Sequence, residues 1–424
     1  MPCLCQTDRM RIVITTSGSV GDVAPYTGLA ARLNAAGHHA VLATHEPFRL
    51  FVQSRGIEFA PLAGDPRSLL QSEEGQRWQR AGAGLAGAVR LVRIMRPYFH
   101  EMAERTLAAL HGADLLLCSA LTAASYHIAK GRGIPSMGVY LQPLEPTREF
   151  PALLAGGVRS FGGWGNLASG HLADALIGLP FMSEVNKGRS QLGLPHQTYG
   201  QLRRELRAER WPIVHGFSRH VVPRPYDWRD GLNVVGHWWP APDPSWTPPD
   251  QLVDFLASGE PPVFVGFGSM ATGTGDAERL ASVAVEALRT VGVRGVLQAG
   301  WSGLTAVGDD VLSIGEAPHE WLFPRMAALV HHAGMGTSGA GVRSGIPAVS
   351  VPVLADQPFW ASRLSALGVS ATPIPFSQLT SERLAEALRE VLVNPAFGRR
   401  ARSLAQQVIG EDGAGAVVDA VNRL

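Results

Sequence analysis

The sequence predicts an α/β protein made of two similar halves that face each other across a cleft. Each half alternates short apolar strands with helix-length segments, a proline-rich stretch separates the halves, and 424 residues suffice for two domains. We expect a first domain at 1–235, a linker at 236–262 and a second domain at 263–405. Residues 406–424 are expected to form a C-terminal helix that can pack back on the first domain.

The first half begins with an apolar strand at 12–14, followed by a Ser/Gly turn and a helix predicted at 25–36. The next strand is predicted at 41–43. Strand, helix and strand at this spacing indicate a right-handed crossover within a parallel sheet. The remaining predicted elements of this half are strands at 115–118 and 136–140 and a helical region over 84–110.

The segment 236–262 changes character, because five prolines fall between Pro240 and Pro249. Such a run cannot continue a helix or a central strand, so it predicts an extended linker. After it the α/β pattern restarts. The predicted elements are strands at 263–265, 295–298, 327–330 and 348–353, and helices at 277–291, after Thr380 and over 395–424 with an interruption near Gly410.

Composition and charge argue against several classes of protein. The net charge of +1 argues against nucleic-acid binding, which uses strongly basic faces. The three cysteines, Cys3, Cys5 and Cys118, predict neither a disulfide framework nor a zinc site. There is no run of about 18 apolar residues, and the first nine residues lack the core of a signal peptide, so Met10 could be the natural start. We expect a cytoplasmic monomer or homodimer without stable membrane insertion.

The segment 330–337, Val-His-His-Ala-Gly-Met-Gly-Thr, carries the clearest functional signal. It predicts a strand that ends in histidine and turns through glycines into a helix beginning near Thr337. Free backbone N–H groups and the helix dipole point outward at such a junction, which favours an anion, and His332 can add a donor. Glycine-rich turns of this kind also occur in α/β proteins without any ligand there.

Asp356 and Gln357 follow the next predicted strand, so they should lie beside this turn at the same edge of the sheet. A phosphate site next to two side chains that can bind hydroxyls indicates a nucleotide-sugar. Residues 266–271 match the dinucleotide pattern G-x-G-x-x-G/A, but Glu286, which has the required spacing, lies inside a predicted helix. A nicotinamide cofactor is therefore not favoured, and Ser269 in this turn suits a diphosphate or a sugar better.

Asp22, in the N-terminal Ser/Gly turn, has two interpretations. It precedes a predicted helix, and a helix N-cap alone would explain an aspartate there. It could also be a general base at a strand end facing the other half. Once the second half is interpreted as a donor site, the base is preferred, because transfer to a hydroxyl needs a proton acceptor opposite the donor.

The sequence contains no Asp-x-Asp motif and no cluster of His, Cys and carboxylates with metal-ligand spacing. A metal-bridged diphosphate is therefore not expected, and neither is a cofactor beyond the nucleotide-sugar itself. The phosphate-binding pattern G-x-x-x-x-G-K-[ST] and the nucleophile elbow G-x-S-x-G are also absent from the sequence.

Six ordered motifs resemble those of family-1 glycosyltransferases of the twin-Rossmann (GT-B) type, and within them the bacterial natural-product and sterol glucosyltransferase branch. The resemblance covers almost the whole chain from Met10. The motifs are T-x-G-S-x-G-D-x-x-P at 16–25, G-F-G-S-M at 266–270, G-W-S-G-L at 300–304, A-P-H-E-W-L-F at 317–323, H-H-x-G-x-G-T at 331–337 and D-Q-P-F-W at 356–360.

The resemblance implies a role for each matching residue. The resemblance implies that Asp22 is the base and that Asp356 and Gln357 bind the sugar hydroxyls. The residues implied to bind the nucleoside-diphosphate sugar are Ser269, Trp301, Ala317, His319, His332, Gly334, Met335, Gly336 and Thr337, with Ser17, Gly18 and Gly21 in the N-terminal loop.

Three departures from the family pattern stand out. Ala333 replaces a glycine, so φ at this position should no longer be freely positive. Met335 is bulkier than the common alanine or serine, and Val20 replaces a frequent arginine.

The function that we expect is inverting, metal-independent sugar transfer from UDP-glucose or a TDP-sugar to a hydroxyl of a lipophilic acceptor, such as a secondary metabolite, sterol or terpenoid. The segments 82–99 and 151–182 are rich in apolar residues and could line a roomy acceptor pocket. Two alternatives remain: a nucleotide-sugar epimerase of the same fold, and a catalytically silent partner that activates another transferase.

Overall fold

In the computed structural model, two parallel sheets form the centres of two α/β domains. The structure describes residues 9–82, 84–156, 160–268, 274–300, 303–306 and 308–424. Within these residues no helix is both long and apolar enough to cross a membrane.

The N-terminal sheet has seven strands, all paired in parallel, in the order β3-β2-β1-β4-β5-β6-β7. Its strands are β1 (Arg11–Thr15), β2 (His39–His45), β3 (Glu58–Leu62), β4 (Leu115–Cys118), β5 (Ser136–Tyr140), β6 (Ile213–His215) and β7 (Leu232–Val234). The helices of this part are α1 (Val20–Ala35), α2 (Arg49–Gln53), α3 (Pro66–Gln71), α4 (Glu73–Ala81), α5 (Leu85–Met95), α6 (Phe99–Ala109), α7 (Ser125–Arg132), α8 (Gly162–Gly178), α9 (Met182–Gln191) and α10 (Tyr199–Ala208).

The C-terminal sheet has five parallel strands in the order β10-β9-β8-β11-β12. They are β8 (Val263–Gly266), β9 (Gly295–Gln298), β10 (Val311–Ile314), β11 (Ala328–His331) and β12 (Ala348–Ser350). The helices are α11 (Asp250–Ala257), α12 (Thr274–Val291), α13 (His319–Leu322), α14 (Met335–Ser344), α15 (Gln357–Ala366), α16 (Ser381–Val393), α17 (Pro395–Ile409) and α18 (Gly413–Val421).

Both sheets reverse their strand order once, between β1 and β4 in the first and between β8 and β11 in the second. Ligands of open α/β sheets bind beside the carboxyl ends of strands at such a reversal. Asp22 follows β1 and His332 follows β11, so each lies beside the reversal of its own sheet.

The predicted α/β class is confirmed, and the strands at 115–118, 136–140 and 295–298 have the predicted bounds. Three expectations were wrong in detail. Helix α1 begins at Val20 instead of Pro25, because Ser19 and Asp22 form a capping box that starts the helix, and Pro25 lies inside it. Strand β12 ends at Ser350, and the segment 236–262 is not extended throughout, since α11 forms within it and buries Leu252.

The two domains share a packed boundary along the segment from Gly236 to Ala241. Trp238 is buried, packs against Tyr26 of α1 and donates its Nε1–H to the Gly413 carbonyl at 3.3 Å. Helix α18 packs on α1 of the N-terminal domain, where Arg32 pairs with Asp412 at 2.8 Å. The chain therefore passes between the domains twice, once before β8 and once after α17.

Candidate active site in the interdomain cleft

Asp22 lies in the first turn of α1, three residues after the N-cap Ser19, and is not itself the N-cap that one interpretation predicted. The backbone N–H and the Oγ–H of Ser19 both donate to Asp22 Oδ2, at 2.9 and 3.1 Å. Thr16 Oγ1 donates to the Asp22 carbonyl at 2.8 Å. The carboxylate is therefore held by its own turn and stands at the start of a helix, where the dipole favours a negative charge.

Burial and, to a smaller extent, the negative charge of Asp356 across the cleft raise the pKa of Asp22 to about 6, against the lowering effect of hydrogen bonds from Ser19 and of the Gln142 amide. A carboxyl group with this pKa is mostly ionised at neutral pH and yet basic enough to accept a proton. Asp22 is therefore better suited to general-base catalysis than an aspartate on the protein surface.

The loop before α1 is shaped around this carboxylate. Gly18 has a φ of +126°, and a Cβ at this position would lie 2.4 Å from Asp22 Oδ2. Ser17 Oγ lies 2.8 Å from His45 Nε2, and the Gly18 N–H donates to the same nitrogen at 3.4 Å. Burial lowers the pKa of His45, so a neutral imidazole at the end of β2 supports the loop. Sequence reasoning missed His45, which belongs to none of the motifs.

The C-terminal turn presents the start of α14 to the cleft. Gly334 is the N-cap and has no side chain, and the Ser338 N–H donates to the Gly334 carbonyl. The N–H groups of residues 335–337 precede that bond and point away from the helix. A Cβ on Gly336 would lie 3.8 Å from the carbonyl oxygen of Gly21, so the N-termini of α14 and α1 meet across the cleft. The free N–H groups and the dipole of α14 favour an anion there.

His331 and Ala333 shape this turn from inside. His331 is fully buried, and its Nδ1 accepts the Ala333 N–H at 3.0 Å. Ala333 has a φ of +62°, contrary to the expectation that a side chain would keep φ from being positive. The left-handed conformation costs an alanine about 1–2 kcal/mol, and the hydrogen bond to His331 helps to offset it.

His332 is held edge-on between two glycines. A Cβ on Gly268 would lie 2.6 Å from its Cε1, and a Cβ on Gly334 would lie 2.4 Å from its Nε2. Burial lowers the pKa of His332 to about 4. Among the residues that the structure describes, its buried Nδ1 has no hydrogen-bond partner. The neutral ring can therefore offer one N–H to a ligand oxygen beside the start of α14.

Asp356 and Gln357 begin α15 at the neighbouring strand end, as expected. Trp360 Nε1 donates to Asp356 Oδ2 at 2.8 Å, and burial raises the pKa of Asp356. Gln357 Oε1 accepts the N–H groups of Val353 and Leu354, at 2.9 and 3.1 Å. Gln357 thus also braces the loop after β12, and its amide NH₂ is the part that remains for a sugar hydroxyl.

Gln142 was also missed by the sequence analysis. It follows β5, and its side-chain amide lies close enough to the carboxylates of both Asp22 and Asp356 to lower the pKa of each. The amide therefore lies between the carboxylates of the two domains. The signal available in the sequence was the position of Gln142, a polar residue two positions after the buried strand β5.

The predicted nucleotide residues Ala317 and His319 line the cleft. The His319 ring stacks on Phe323, with ring centroids 4.2 Å apart, and burial lowers the pKa of His319 to about 4. Ser269 and Trp301 lie outside the described residues.

The cleft continues into a cavity of about 1420 Å³ that both domains line. Its N-terminal part is largely apolar, with side chains from the segments 82–99 and 151–182 that were expected to form an acceptor pocket. They include Leu91, Met95, Phe99, Leu153, Ile177 and Phe181. In the described parts of the chain, no group of three or more His, Cys, Asp or Glu side chains could hold a metal ion.

Comparison with known proteins gives matches over both halves. Residues 12–128 match the glycosyltransferase family 28 N-terminal domain, and residues 293–424 match the C-terminal domain of erythromycin biosynthesis protein CIII-like proteins. The chain is 36% identical to the O-mycaminosyltylonolide 6-deoxyallosyltransferase of Streptomyces fradiae, over 95% of each chain. It is 32% identical to a sterol 3-beta-glucosyltransferase of Arabidopsis thaliana, over 98% of this chain and 68% of the relative.

Among solved structures, the glycosyltransferase VinC in complex with dTDP has the same fold. Its TM-score is 0.68 at 18% identity, over 98% of this chain and all of VinC. The two-domain arrangement inferred from the strand pattern is therefore shared with a known enzyme fold.

Proposed function

Because the chain is a family-1 glycosyltransferase with the GT-B fold, we propose that it is an inverting, metal-independent enzyme that glycosylates a lipophilic alcohol from a nucleoside-diphosphate sugar. One observation carries the proposal most directly. Asp22, with a pKa of about 6, faces the start of α14 and the neutral His332 across a single cleft. A base and an anion site on opposite walls are what a displacement at an anomeric carbon requires.

In the proposed reaction, Asp22 accepts the proton of the acceptor hydroxyl as its oxygen forms a bond to the anomeric carbon. The bond from that carbon to the diphosphate oxygen breaks, and the electron pair leaves with the diphosphate. The N–H groups at the start of α14 and the N–H of His332 stabilise the negative charge that develops there. Preorganised donors of this kind are worth about 3 kcal/mol each in barrier height. A single displacement inverts the anomeric configuration.

For the donor sugar, we propose contacts with Asp356 and with the amide NH₂ of Gln357. These side chains follow β12 and lie beside the turn proposed for the diphosphate. Asp356 also faces Asp22 closely enough for its charge to raise the pKa of the base. The anomeric carbon would then lie between the two carboxylates, near Gln142.

The acceptor class is supported by the largely apolar wall of the N-terminal cavity. A volume of about 1420 Å³ holds more than a nucleotide-sugar, so a large polycyclic or macrocyclic alcohol fits beside it. The two relatives named above are a sterol glucosyltransferase and a transferase whose acceptor is mycaminosyltylonolide. Both names agree with a bulky, lipophilic acceptor.

The test is an acceptor screen by mass spectrometry, with sterols and macrolide aglycones offered together with UDP-glucose or a TDP-deoxysugar. NMR of the product then gives the anomeric configuration, and EDTA in parallel reactions tests the need for a metal. We expect a β-glycoside from an α-linked donor and unchanged turnover in EDTA. A retained configuration, or strict dependence on Mg²⁺ or Mn²⁺, would contradict the mechanism.

The same screen distinguishes the two alternatives. An epimerase would release an altered sugar without any acceptor, and a silent partner would give no product with any donor.

A further inference from the structure

Helix α8 carries its large apolar side chains on the outside of the protein. Phe161, at its N-cap, is 58% exposed, Trp164 is 73% exposed, Leu172 is 62% exposed and Leu179, just after the helix, is 55% exposed. Trp164, Ala168 and Leu172 are spaced four residues apart and so share one face of the helix. We call Phe161, Trp164, Leu172 and Leu179 the outer stripe. An exposed row of this kind calls for a covering partner.

The polar residues of α8 lie on its inner side. Asn166 is buried, its Oδ1 accepts the Phe161 N–H at 2.9 Å, and its Nδ2 donates to the Arg148 carbonyl at 2.9 Å. Asp174 forms an ion pair with Arg203 at 3.1 Å. Rotating the helix to bury the outer stripe would break all of these contacts. The outward orientation of the stripe is therefore fixed by hydrogen bonds and charge.

An arginine lies against the outer stripe. The Arg148 guanidinium lies 3.9 Å from the centroid of the Trp164 ring. Helix α5 packs against α8 and exposes Val89 and Arg93, which are four residues apart. In the described residues neither Arg93 nor Arg148 has a carboxylate within ion-pair distance. The one carboxylate on α8, that of Asp174, is neutralised inside by Arg203.

The opposite side of the same helix lines the acceptor cavity. Gly170, Ala173 and Ile177 of α8 belong to the cavity wall, and so do Leu91, Val92 and Met95 of α5. The cavity and the outer stripe are therefore two sides of one layer of helices.

We propose that α8 is a membrane-docking helix that lies on an anionic lipid surface, with the outer stripe at the boundary of headgroups and acyl chains. Helix α8 itself carries no lysine or arginine, so the attraction to anionic lipid comes from Arg148 and Arg93 on neighbouring segments, while the exposed aromatic and aliphatic row suits the interface. Docking places the acceptor cavity directly above the lipid, where a lipophilic acceptor would be concentrated. Only this last step rests on the proposed function, and the binding to lipid does not.

Vesicle flotation of the full chain tests the proposal without any transfer reaction. The probes are vesicles of phosphatidylcholine alone and vesicles with about one third phosphatidylglycerol. We expect the protein to float with the anionic vesicles. The double variant Trp164→Ser/Leu172→Ser should lower the bound fraction by about tenfold or more, and Arg93→Gln should weaken binding to the anionic vesicles selectively.

The matched control is the double variant Leu50→Ser/Val393→Ser, which removes two apolar side chains that are each 79% exposed and lie outside α8. It should float like the unmodified protein, and all variants should melt within a few degrees of it. Failure of the unmodified protein to float, or equal loss of binding in the control, would overturn the proposal. So would sedimentation showing that the outer stripe instead joins two copies of the chain without binding lipid.

Discussion

Gly18 leaves the space in which the carboxylate of Asp22 lies. A Cβ at position 18 would stand 2.4 Å from Asp22 Oδ2 and 2.7 Å from its Cγ. Any side chain at Gly18 must therefore displace the carboxylate from the hydrogen bonds of Ser19.

Gly18→Ala should reduce transfer by about 100-fold or more, because the proposed base no longer points at the acceptor. Binding of the free nucleoside diphosphate should change much less than transfer, since most of its proposed contacts belong to the C-terminal domain. Gly37→Ala is the matched control: its φ is +97° and a Cβ there meets nothing within 4 Å. It shares the backbone strain and leaves Asp22 alone. Steady-state kinetics and calorimetric titration with UDP and TDP give both readouts. Equal losses in the two variants would show that only the strain matters.

The pH dependence of kcat/KM should have an acidic limb near pH 6, because a base whose pKa is about 6 loses activity as it becomes protonated. Ser19→Ala removes the Oγ–H that donates to Asp22 Oδ2 and lowers its pKa. The limb should therefore move to higher pH in this variant, while activity well above it is largely retained. A limb that stays in place would separate Asp22 from the pH dependence.

Asp22→Asn should make the protein more stable at pH 7 while transfer falls by about 100-fold or more. Burial raises the folded-state pKa of Asp22 from 3.8 to about 6, so ionisation above this range disfavours the folded state. The raised pKa corresponds to a loss of about 3 kcal/mol in the free energy of unfolding at pH 7. The extra stability of the variant should be small near pH 4 and vanish well below it, where the carboxyl group is protonated in both the folded and the unfolded state, and it should grow between pH 4 and pH 6. Denaturant melts at pH 4 and pH 7 measure it. A gain that is independent of pH would have another origin.

His332→Ala and Gln357→Glu should impair donor use in different ways. The histidine variant should weaken binding of UDP and TDP and slow transfer from every donor alike, because all donors share the diphosphate. Gln357→Glu keeps an oxygen that can accept the N–H groups of Val353 and Leu354 but removes the NH₂ donor. It should alter the preference among sugars on one nucleotide, since an unpaired hydroxyl is costly when buried. Rates with glucose and deoxysugar donors decide this. If both variants weakened UDP binding equally, the assigned sites would be wrong.

Gln357→Ala is the complementary variant, because it also removes the oxygen that braces the loop. Comparing it with Gln357→Glu separates loss of the loop from loss of the sugar contact.

The sequence predicted the parts of the fold that depend on local pattern. Buried parallel strands such as Leu115–Cys118 are continuous apolar runs, and the sequence placed several of them to the residue. Helix α1 starts five residues before the predicted Pro25, because Ser19 and Asp22 already form its first turn.

Motifs located Asp22, His332, Asp356 and Gln357, but they could not reveal contacts between distant loops. Gln142 follows β5 and His45 ends β2, neither within a motif, and only the order of strands in the folded sheet brings them to the site. The sequence could not predict that the outer stripe faces outward. The orientation of α8 depends on the hydrogen bond of Asn166 and the ion pair of Asp174, whose partners lie on other segments.

The two passages of the chain between the domains touch each other. A Cβ on Gly413 would lie 2.2 Å from the Gly236 carbonyl oxygen, and Trp238 is hydrogen-bonded to Gly413. Two connections far apart would restrict the domains to rotation about the line through both connections. Connections that meet at one place constrain the distance between the domains only at that point, and they leave the relative tilt and twist of the domains unconstrained. Contacts between the domains, such as those from the Arg363 guanidinium to the Val221 carbonyl, must then select the orientation in which the two walls of the cleft meet.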